Sequence, residues 1–158
     1  MCGIIGQFNS HEKIDPEQFR AMRDLLHHRG PDDAGLYFNQ EGNVAIGHRR
    51  LSFLDLTESG KQPMVSNDGS VVITFNGEIY NYRELRQELK GDYEMRTGTD
   101  TEVIIAGYQK WGIKVLDRLS GMFAFALYDS NLKRVYLVRD RFGIKPLYYS
   151  LNHETLLF

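Results

Sequence analysis

The residue whose chemistry stands out first is Cys2, the only cysteine in the chain, which directly follows the initiator methionine. Removal of Met1 would place a thiol and a free α-amino group on the same residue. Because an α-amine has a pKa of roughly 7.7 to 8, part of the population is unprotonated near neutral pH and can accept the thiol proton, directly or through a water. The sequence therefore predicts an N-terminal nucleophile. The alternative is a small buried apolar residue, which is how most free cysteines behave.

The dipeptide Asn76-Gly77 follows a β-branched run and offers hydrogen-bond donors. Amide hydrolysis by a cysteine needs donors directed at the developing oxyanion. Asn76 supplies a side-chain amide and Gly77 a neighbouring backbone N–H, and a glycine there would let substrate approach closely. The alternative is a hairpin turn, because Asn-Gly is the commonest dipeptide of such turns.

Charged residues in the sequence match the two charged groups of a free amino acid. Arg50 could hold a carboxylate through its planar guanidinium, while Glu78 and Asp100 could receive an ammonium group. Two alternatives stay open: Arg49 and Arg50 as a solvated pair, and Asp100 as a residue that complements a helix dipole. For Glu102 a structural role is preferred, because a capping box with Thr99 accounts for it.

Composition and charge narrow the classes to which the chain can belong. It has 158 residues and a formal net charge of -2 at neutral pH, so one domain with a real core is expected. Acidic and basic residues are mixed along the chain, which argues against nucleic acid or an anionic membrane as partner. The single cysteine and the lack of a signal-like start or a long apolar run favour a cytoplasmic protein. The spacing of the histidines predicts no metal site.

Hydrophobic periodicity and capping residues predict mixed α and β elements. Capping boxes mark three helix starts, at Asp15 with Gln18, Asn81 with Glu84, and Thr99 with Glu102. The first helix would run to about residue 28, and an opening strand at 2–9 would place Cys2 at its first position. Further strands are predicted near 34–39, 43–48 and 71–75, and in two hairpins, 122–128 with 134–138 and 147–151 with 156–158, while 55–69 is predicted as a long loop.

These features occur together in the order and wording of one protein family. The matching motifs are Cys2-Gly3-Ile4, His28-Arg29-Gly30-Pro31-Asp32, Arg50-Leu51-Ser52, Asn76-Gly77-Glu78-Ile79-Tyr80-Asn81, Thr97-Gly98-Thr99-Asp100, Gly121-Met122-Phe123-Ala124-Phe125-Ala126, and Arg139-Asp140 through Lys145-Pro146-Leu147-Tyr148-Tyr149. The chain thereby resembles the N-terminal glutaminase domain of glutamine-hydrolysing asparagine synthetase, a class II glutamine amidotransferase. The resemblance extends over nearly the whole chain.

The resemblance implies an α+β N-terminal-nucleophile hydrolase fold, a four-layer αββα sandwich with two antiparallel sheets. Residues 1–158 would form one type-2 glutamine amidotransferase domain from which Met1 is removed. Because Phe158 falls inside an apolar strand, we expect the chain to be cut before the C-terminal end of that domain. The alternative is a complete chain that ends on a short edge strand.

The resemblance also implies a reaction and its residues. The Cys2 thiolate would attack the side-chain amide of L-glutamine, Asn76 and the Gly77 N–H would hold the oxyanion, ammonia would leave, and water would hydrolyse the γ-glutamyl thioester. The implied glutamine pocket consists of Arg50 for the α-carboxylate, Glu78 with Asp100 for the α-ammonium, and the loop Leu51, Ser52, Phe53 and Leu54. In that loop Phe53 is bulkier than the isoleucine expected there.

The family's second domain defines the expected partners. Members continue into an ATP-dependent synthetase domain whose Ser-Gly-Gly-x-Asp-Ser motif is absent here, and no other phosphate-binding loop is found. We therefore expect no cofactor in this domain, ATP and Mg²⁺ only in the synthetase domain, and that domain as partner in a longer parent chain. A homodimer is also considered. Three alternatives remain: an acceptor of ammonia other than aspartate, an inactive binding or scaffold module with the same fold, and a phosphoribosylamine- or glucosamine-phosphate-forming amidotransferase.

Overall fold

The computed structural model describes residues 2–51 and 60–158, which form nine strands and three α-helices. The strands are β1 (Gly3–Asn9), β2 (Asp33–Phe38), β3 (Val44–Arg50), β4 (Met64–Val65), β5 (Val71–Ile79), β6 (Gly121–Asp129), β7 (Arg134–Arg139), β8 (Ser150–Leu151) and β9 (Thr155–Leu157). The α-helices are α1 (Pro16–Asp24), α2 (Tyr82–Glu88) and α3 (Asp100–Trp111), and 3-10 helices follow α1 over Leu25–Arg29 and α3 over Gly112–Asp117. Within the described residues no helix is long and apolar enough to cross a membrane.

The strands form two antiparallel sheets. The first sheet has the order β2-β3-β1-β9-β8, and the second has the order β4-β5-β6-β7. In the first sheet β1 lies in the centre, where it pairs with β3 on one side and β9 on the other. The Phe158 N–H and carbonyl each bond Gly6 at 3.1 Å, which extends this last pairing.

Three apolar clusters separate four layers. Phe19 of α1 packs with Ala45 on the outer face of the first sheet. Val44 and Ile46 of β3 meet Val72 of β5 between the two sheets. The largest cluster joins α2 and α3 to the outer face of the second sheet. Side chains alternate between the faces of a strand, so neighbouring residues of β3 enter different clusters. The four-layer αββα arrangement expected from the sequence is confirmed.

Local predictions succeeded where capping and alternation were clear. The Asp15 carboxylate caps α1, since its Oδ1 accepts the N–H groups of Glu17 at 2.8 Å and Gln18 at 3.1 Å. The capping box predicted at Asn81 is wrong. The Asn81 side chain instead accepts the Ser120 N–H at 3.0 Å and donates to the Arg118 carbonyl at 2.9 Å. A tertiary contact with the start of β6 therefore replaces the local cap.

Part of the stretch predicted as a long loop is a strand. Met64 of β4 pairs with Ile73 of β5, and the Met64 side chain is buried. Burial against the second sheet accounts for a strand that its two residues could not signal by pattern. Residues 55–59 of the predicted loop lie outside the described residues.

The strand that carries Asn76-Gly77 does not stop there, so the turn interpretation is wrong. β5 continues to Ile79, with Asn76 opposite Ala124 and Gly77 opposite Phe123 in β6. The structure gives Gly77 a reason other than the expected approach of substrate, which stays a prediction. A Cβ on Gly77 would lie 2.3 Å from the Met122 carbonyl oxygen, so close approach of strand β6 accounts for the missing side chain.

Candidate active site

Strands β1 and β3 bring Cys2 and Arg50 to the same place. Gly3 pairs with Arg49, so continuation of the antiparallel ladder puts Cys2 opposite Arg50. Gly3 faces outward, because a Cβ there would lie 2.9 Å from the Leu26 Cβ. Alternation along the two strands therefore turns Cys2 and Arg50 toward the inter-sheet layer, the space between the facing surfaces of the two sheets.

Strand β5 places Asn76 on the other side of that layer. Ile73 and Phe75 point into the cluster shared with the helices, so Thr74 and Asn76 face the first sheet. Asn76 is buried, and its side-chain amide forms no hydrogen bond with residues 2–51 or 60–158. An amide without a protein partner in this part of the chain can donate to an oxyanion.

Contacts across the inter-sheet layer set how β3 lies over β5. Ile46 packs with Val72, and the next inward pair, His48 and Thr74, is hydrogen-bonded between Nδ1 and Oγ1 at 3.0 Å. Arg50 lies two residues after His48 on β3, and Asn76 two residues after Thr74 on β5. If the stacking of the two strands continues, Arg50 and Asn76 are the next inward pair. Since Cys2 is the ladder neighbour of Arg50, the predicted nucleophile, carboxylate-binding group and oxyanion donor lie at one end of the layer.

The Gly77 N–H points to the edge of β5 that β6 does not cover. On its other side the Phe123 carbonyl accepts the Asp140 N–H at 2.8 Å, and the Phe123 N–H donates to the Asp140 Oδ2 at 3.2 Å, so the Gly77–Phe123 pair is of the non-hydrogen-bonded kind. On that open edge the Phe75 N–H donates to Gln62 Oε1 at 2.6 Å, and the Ile79 N–H donates to Asp100 Oδ2 at 2.9 Å. The Gly77 N–H lies between these two bonds, beside the Asn76 amide.

Two acidic side chains lie at the end of the same edge. The Asp100 carboxylate is anchored by the Ile79 N–H at the first residue of α3, while Glu78 is exposed. Burial raises the pKa of Asp100 above its ordinary value, the Ile79 N–H partly opposes this, and the negative charge of Glu78 adds a smaller increase. Two carboxylates that repel each other form a site that a cation would stabilise.

The residues around Arg50 are described in part. The Cys2 Sγ lies 4.0 Å from the Leu51 carbonyl oxygen, and a Cβ on Gly60 would lie 2.7 Å from the Arg50 Nη2. Leu51 therefore borders the nucleophile, and Gly60 leaves room for the guanidinium. The other predicted pocket residues, Ser52, Phe53 and Leu54, lie outside the described residues.

Arg49 is buried and lies on the other face of β3 from Arg50. The interpretation of the two arginines as a solvated pair is therefore wrong. Arg49 is buried on the outer face of the first sheet, where its Nε donates to the Gly30 carbonyl at 3.1 Å and its Nη1 contacts Asp24 Oδ1 at 3.3 Å. Alternation along β3 alone separates it from Arg50.

The structural role preferred for Glu102 is confirmed, but the reciprocal half of the predicted capping box is wrong, because the Thr99 N–H donates to the Thr97 hydroxyl at 3.2 Å. Its carboxylate accepts the N–H groups of Arg96 at 2.8 Å and Thr97 at 2.7 Å, and the Thr97 hydroxyl at 2.8 Å. The Thr99 hydroxyl caps the helix by accepting the Glu102 N–H at 3.4 Å. These bonds hold the segment that leads into Asp100.

His48 and Thr74 are residues of this layer that sequence reasoning missed. The Thr74 hydroxyl donates to the Gly47 carbonyl at 3.2 Å, so His48 must donate through Nδ1–H and its Nε2 carries a lone pair. Burial, with a smaller contribution from Arg50, lowers the pKa of His48 to about 3 and keeps the ring neutral. One signal in the sequence could have pointed to them: His48 lies two residues before Arg50, and Thr74 two residues before Asn76, so each shares a strand face with a predicted site residue.

Comparison with known families agrees with this geometry. The sequence profile of the glutamine amidotransferase domain matches residues 1–158, which is the whole chain. The chain belongs to this family. Its reaction class is therefore that of an enzyme domain that takes nitrogen from glutamine, which confirms the enzyme class and the family predicted from the motifs.

Relatives of this glutamine amidotransferase domain are longer proteins. Asparagine synthetase [glutamine-hydrolyzing] 1 of Bacillus subtilis is 44% identical over 163 residues, covering 100% of this chain and 25% of the relative. Asparagine synthetase B of Escherichia coli is 43% identical over 163 residues, covering 100% of this chain and 28% of the relative. Amidase chry2 of Gibberella zeae is 38% identical over 149 residues, 94% of this chain and 22% of the relative. The chain thus spans about a quarter of the length of the curated relatives it matches.

A solved structure confirms the fold of the glutamine amidotransferase domain. The glutamine phosphoribosylpyrophosphate amidotransferase of Bacillus subtilis, solved with ADP and GMP, superposes with a TM-score of 0.78. The match covers 98% of this chain and 40% of that one at 21% sequence identity. At this identity the similarity concerns the arrangement of sheets and helices.

Proposed function

We propose that the domain hydrolyses L-glutamine to L-glutamate and ammonia, with Cys2 as the nucleophile. The observation that supports the proposal is strand register: Gly3 pairs with Arg49, and His48 bonds to Thr74 across the layer, so continuation of both would bring Cys2, Arg50 and Asn76 to one end of it. The Asp100 carboxylate, bonded to the Ile79 N–H, and Glu78 lie at the end of the same strand as Asn76. This end presents a nucleophile, an anion-binding group, a cation-binding pair and an unsatisfied donor. Glutamine offers the complement of each.

The reaction would proceed in two stages through a covalent intermediate. After removal of Met1, the α-amine of Cys2 takes the thiol proton, and the thiolate attacks the side-chain amide carbon of glutamine. The Asn76 amide and the Gly77 N–H donate to the oxyanion. Collapse breaks the C–N bond, and ammonia leaves with the proton held on the α-amine. A water then attacks the thioester, which releases glutamate and restores the thiol.

Both charged groups of the glutamine substrate, its α-carboxylate and its α-ammonium, would be bound. The Arg50 guanidinium binds the α-carboxylate, and the Glu78 and Asp100 carboxylates bind the α-ammonium. Leu51 borders the pocket beside the Cys2 Sγ. Ser52, Phe53 and Leu54 are proposed as pocket residues from the family resemblance alone. An ammonium placed between Glu78 and Asp100 would also favour the ionised form of Asp100, whose pKa burial raises.

The ammonia would be used by a second, ATP-dependent region of a longer parent protein. Support comes from the curated relatives, which carry the name asparagine synthetase and of which this chain spans about a quarter. On this proposal ATP and Mg²⁺ belong to that region, the domain described here acts without a cofactor, and aspartate is the acceptor.

Covalent labelling tests the nucleophile. Intact mass is measured before and after treatment with diazo-oxo-norleucine, an electrophilic glutamine analogue, in parallel with an assay of glutamate release. The expected result is a chain without Met1 that gains one adduct, is protected by glutamine and turns glutamine over. Cys2→Ala should abolish both labelling and turnover with an unchanged circular dichroism spectrum, because the covalent route is lost. An adduct or substantial turnover in Cys2→Ala would contradict the assignment, and a folded, processed chain that is neither labelled nor active would identify a binding or scaffold module.

A further inference from the structure

The inter-sheet layer includes polar side chains at the end where the proposed chemistry lies. Apolar contacts between the sheets come from Val44, Ile46, Val72 and Tyr128, all at the opposite end. Toward the site, His48 and Thr74 bond across the layer, and Arg50 and Asn76 lie two residues further along the same strands. The ladder partners of these residues, Ile4, Ala126 and Ala124, share their strand faces, so polar and apolar side chains lie together at this end.

A buried hydrogen-bonded pair joins the two sheets there. Thr74 is fully buried and His48 is 1% exposed, and both make their bonds across the layer. The Thr74 hydroxyl makes two hydrogen bonds to β3: it donates to the Gly47 carbonyl and accepts from His48 Nδ1. Two bonds to consecutive residues fix Thr74 both along and across β3. A buried bond of this kind is costly to break, because either partner alone would stay unsatisfied.

We propose that His48 and Thr74 are a positioning pair that sets the separation between the nucleophile on the first sheet and the oxyanion donor on the second. This inference rests on the proposed function. His48 lies two residues before Arg50 on β3, and Thr74 two residues before Asn76 on β5, on the same strand faces. Any slip between the sheets at this pair displaces Asn76 relative to Cys2. Misplacement of a catalytic group by about 1 Å can cost roughly 100-fold in rate.

The neutral state of His48 agrees with this role. A protonated ring would place a second positive charge near Arg50, whereas the neutral ring donates through Nδ1–H without adding charge. Asp33, opposite Arg50 in the first sheet, has the contrary effect on His48, and this effect is smaller than those of burial and Arg50.

The test is a comparison of amide-mimicking substitutions at His48. An asparagine can place its amide near the position of Nδ1, whereas a glutamine reaches toward that of Nε2. His48→Asn should therefore keep kcat within a few-fold, and His48→Gln should lower kcat roughly 10- to 100-fold with little change in KM for glutamine, since the donor acts in the transition state. A role in filling volume alone would favour the larger glutamine. Equal kcat in the two variants would overturn the inference.

A double-mutant cycle with Asn76 provides the second readout. Thr74→Val should lower kcat as much as His48→Gln does, and Thr74→Ser should restore it. In an Asn76→Ala background Thr74→Val should have little further effect, because the donor that it positions is gone. Additive losses would show that the bond stabilises the fold without positioning Asn76, and would overturn the inference.

A matched control removes a buried hydroxyl elsewhere. The Tyr108 hydroxyl donates to Asp129 Oδ2 at 2.8 Å on the helix side of the second sheet. Tyr108→Phe should lower the melting temperature and leave kcat unchanged. If the wild-type protein is itself inactive and unlabelled, the proposed function fails and the inference falls with it. Normal wild-type turnover with unchanged turnover in both Thr74→Val and His48→Gln overturns the inference alone.

Discussion

The two faces of the second sheet differ in what they bury. Its outer face packs against α2 and α3 through a continuous apolar cluster in which Ile104, Leu89 and Phe125 are almost entirely removed from water. Its inner face meets the first sheet through few apolar residues and then through His48, Thr74 and Asn76. Both interfaces bury apolar side chains that gain by leaving water, yet only the inner one also joins its two layers through the hydrogen-bonded side chains His48 and Thr74.

The contrast indicates a division of work within one sheet. Apolar packing against the helices stabilises β5 and β6 without requiring particular partners, because the hydrophobic effect is non-directional. The inner face carries polar groups whose hydrogen bonds have direction, and these groups fix the relative positions of reacting atoms. Substitutions on the outer face should therefore change stability, and substitutions on the inner face should change catalysis.

The largest expected effect comes from a cavity in the outer interface. Ile104→Ala in α3 removes a side chain with no exposed surface, and should lower the free energy of unfolding by about 2 to 5 kcal/mol. Denaturant titration measures this change. The kcat of the folded protein for glutamine should stay unchanged. A lower kcat at temperatures where the variant is still folded would contradict the proposal that the outer face serves stability and the inner face catalysis.

Asn76→Ala tests the inner face, where we expect a change in kcat and not in stability. It removes a donor to the oxyanion, and should lower kcat roughly 100- to 1000-fold, equivalent to about 2.7 to 4 kcal/mol of transition-state stabilisation. The melting temperature should hardly change, because the amide makes no hydrogen bond within the described residues. A near-normal kcat in steady-state kinetics would show that Asn76 does not donate to the oxyanion and only pairs with strand β6.

Arg49 and Arg50 offer the same comparison within the first sheet. Arg50→Ala should raise KM for glutamine roughly 10- to 100-fold with a smaller effect on kcat, since a charge-assisted bond to the carboxylate is present in both ground and transition states. Arg49→Ala is the matched control. It breaks the contacts with Asp24 and Gly30, so the melting temperature should fall while KM stays near the wild-type value. A rise in KM for Arg49→Ala alone would reverse the assignment.

The effect that is smallest at neutral pH is the pH dependence of stability caused by His48, which grows only as the pH falls. Its pKa is about 3 in the folded protein and about 6.5 when unfolded, so the unfolded chain binds more protons between these values. The contribution is therefore fully present above pH 6.5, and falls by up to about 1.4 kcal/mol per pH unit below it. The raised pKa of Asp100 has the opposite effect over part of that range.

The pH effect is measured as a difference between two proteins. Unfolding free energies of wild type and His48→Asn are compared between pH 7 and pH 4, so that contributions of the carboxylates cancel. The wild-type curve should be steeper, because the asparagine cannot be protonated. Parallel curves would contradict a neutral, buried His48.

Local signals accounted for much of the fold and for part of the site. The Asp15 cap, the Thr99 cap and the apolar run over 122–128 predicted α1, α3 and β6 because these features act within a few residues of sequence. The cap at Asn81 failed since a tertiary partner at Ser120 competes for the same side chain. Asn76-Gly77 was compatible with a turn, and only its pairing with β6 decided that it lies inside a strand.

By itself the sequence determined which groups can do chemistry: the Cys2 thiol beside a terminal amine, the arginine and carboxylates that suit an amino acid, and the amide at Asn76. Side-chain type and position in the chain suffice for that. Tertiary structure alone decided which of two adjacent arginines faces the inter-sheet layer, where the Gly77 N–H points, and that His48 and Thr74 join the sheets. The reason is physical: these outcomes depend on strand register and sheet stacking, which are set by contacts between residues far apart in sequence.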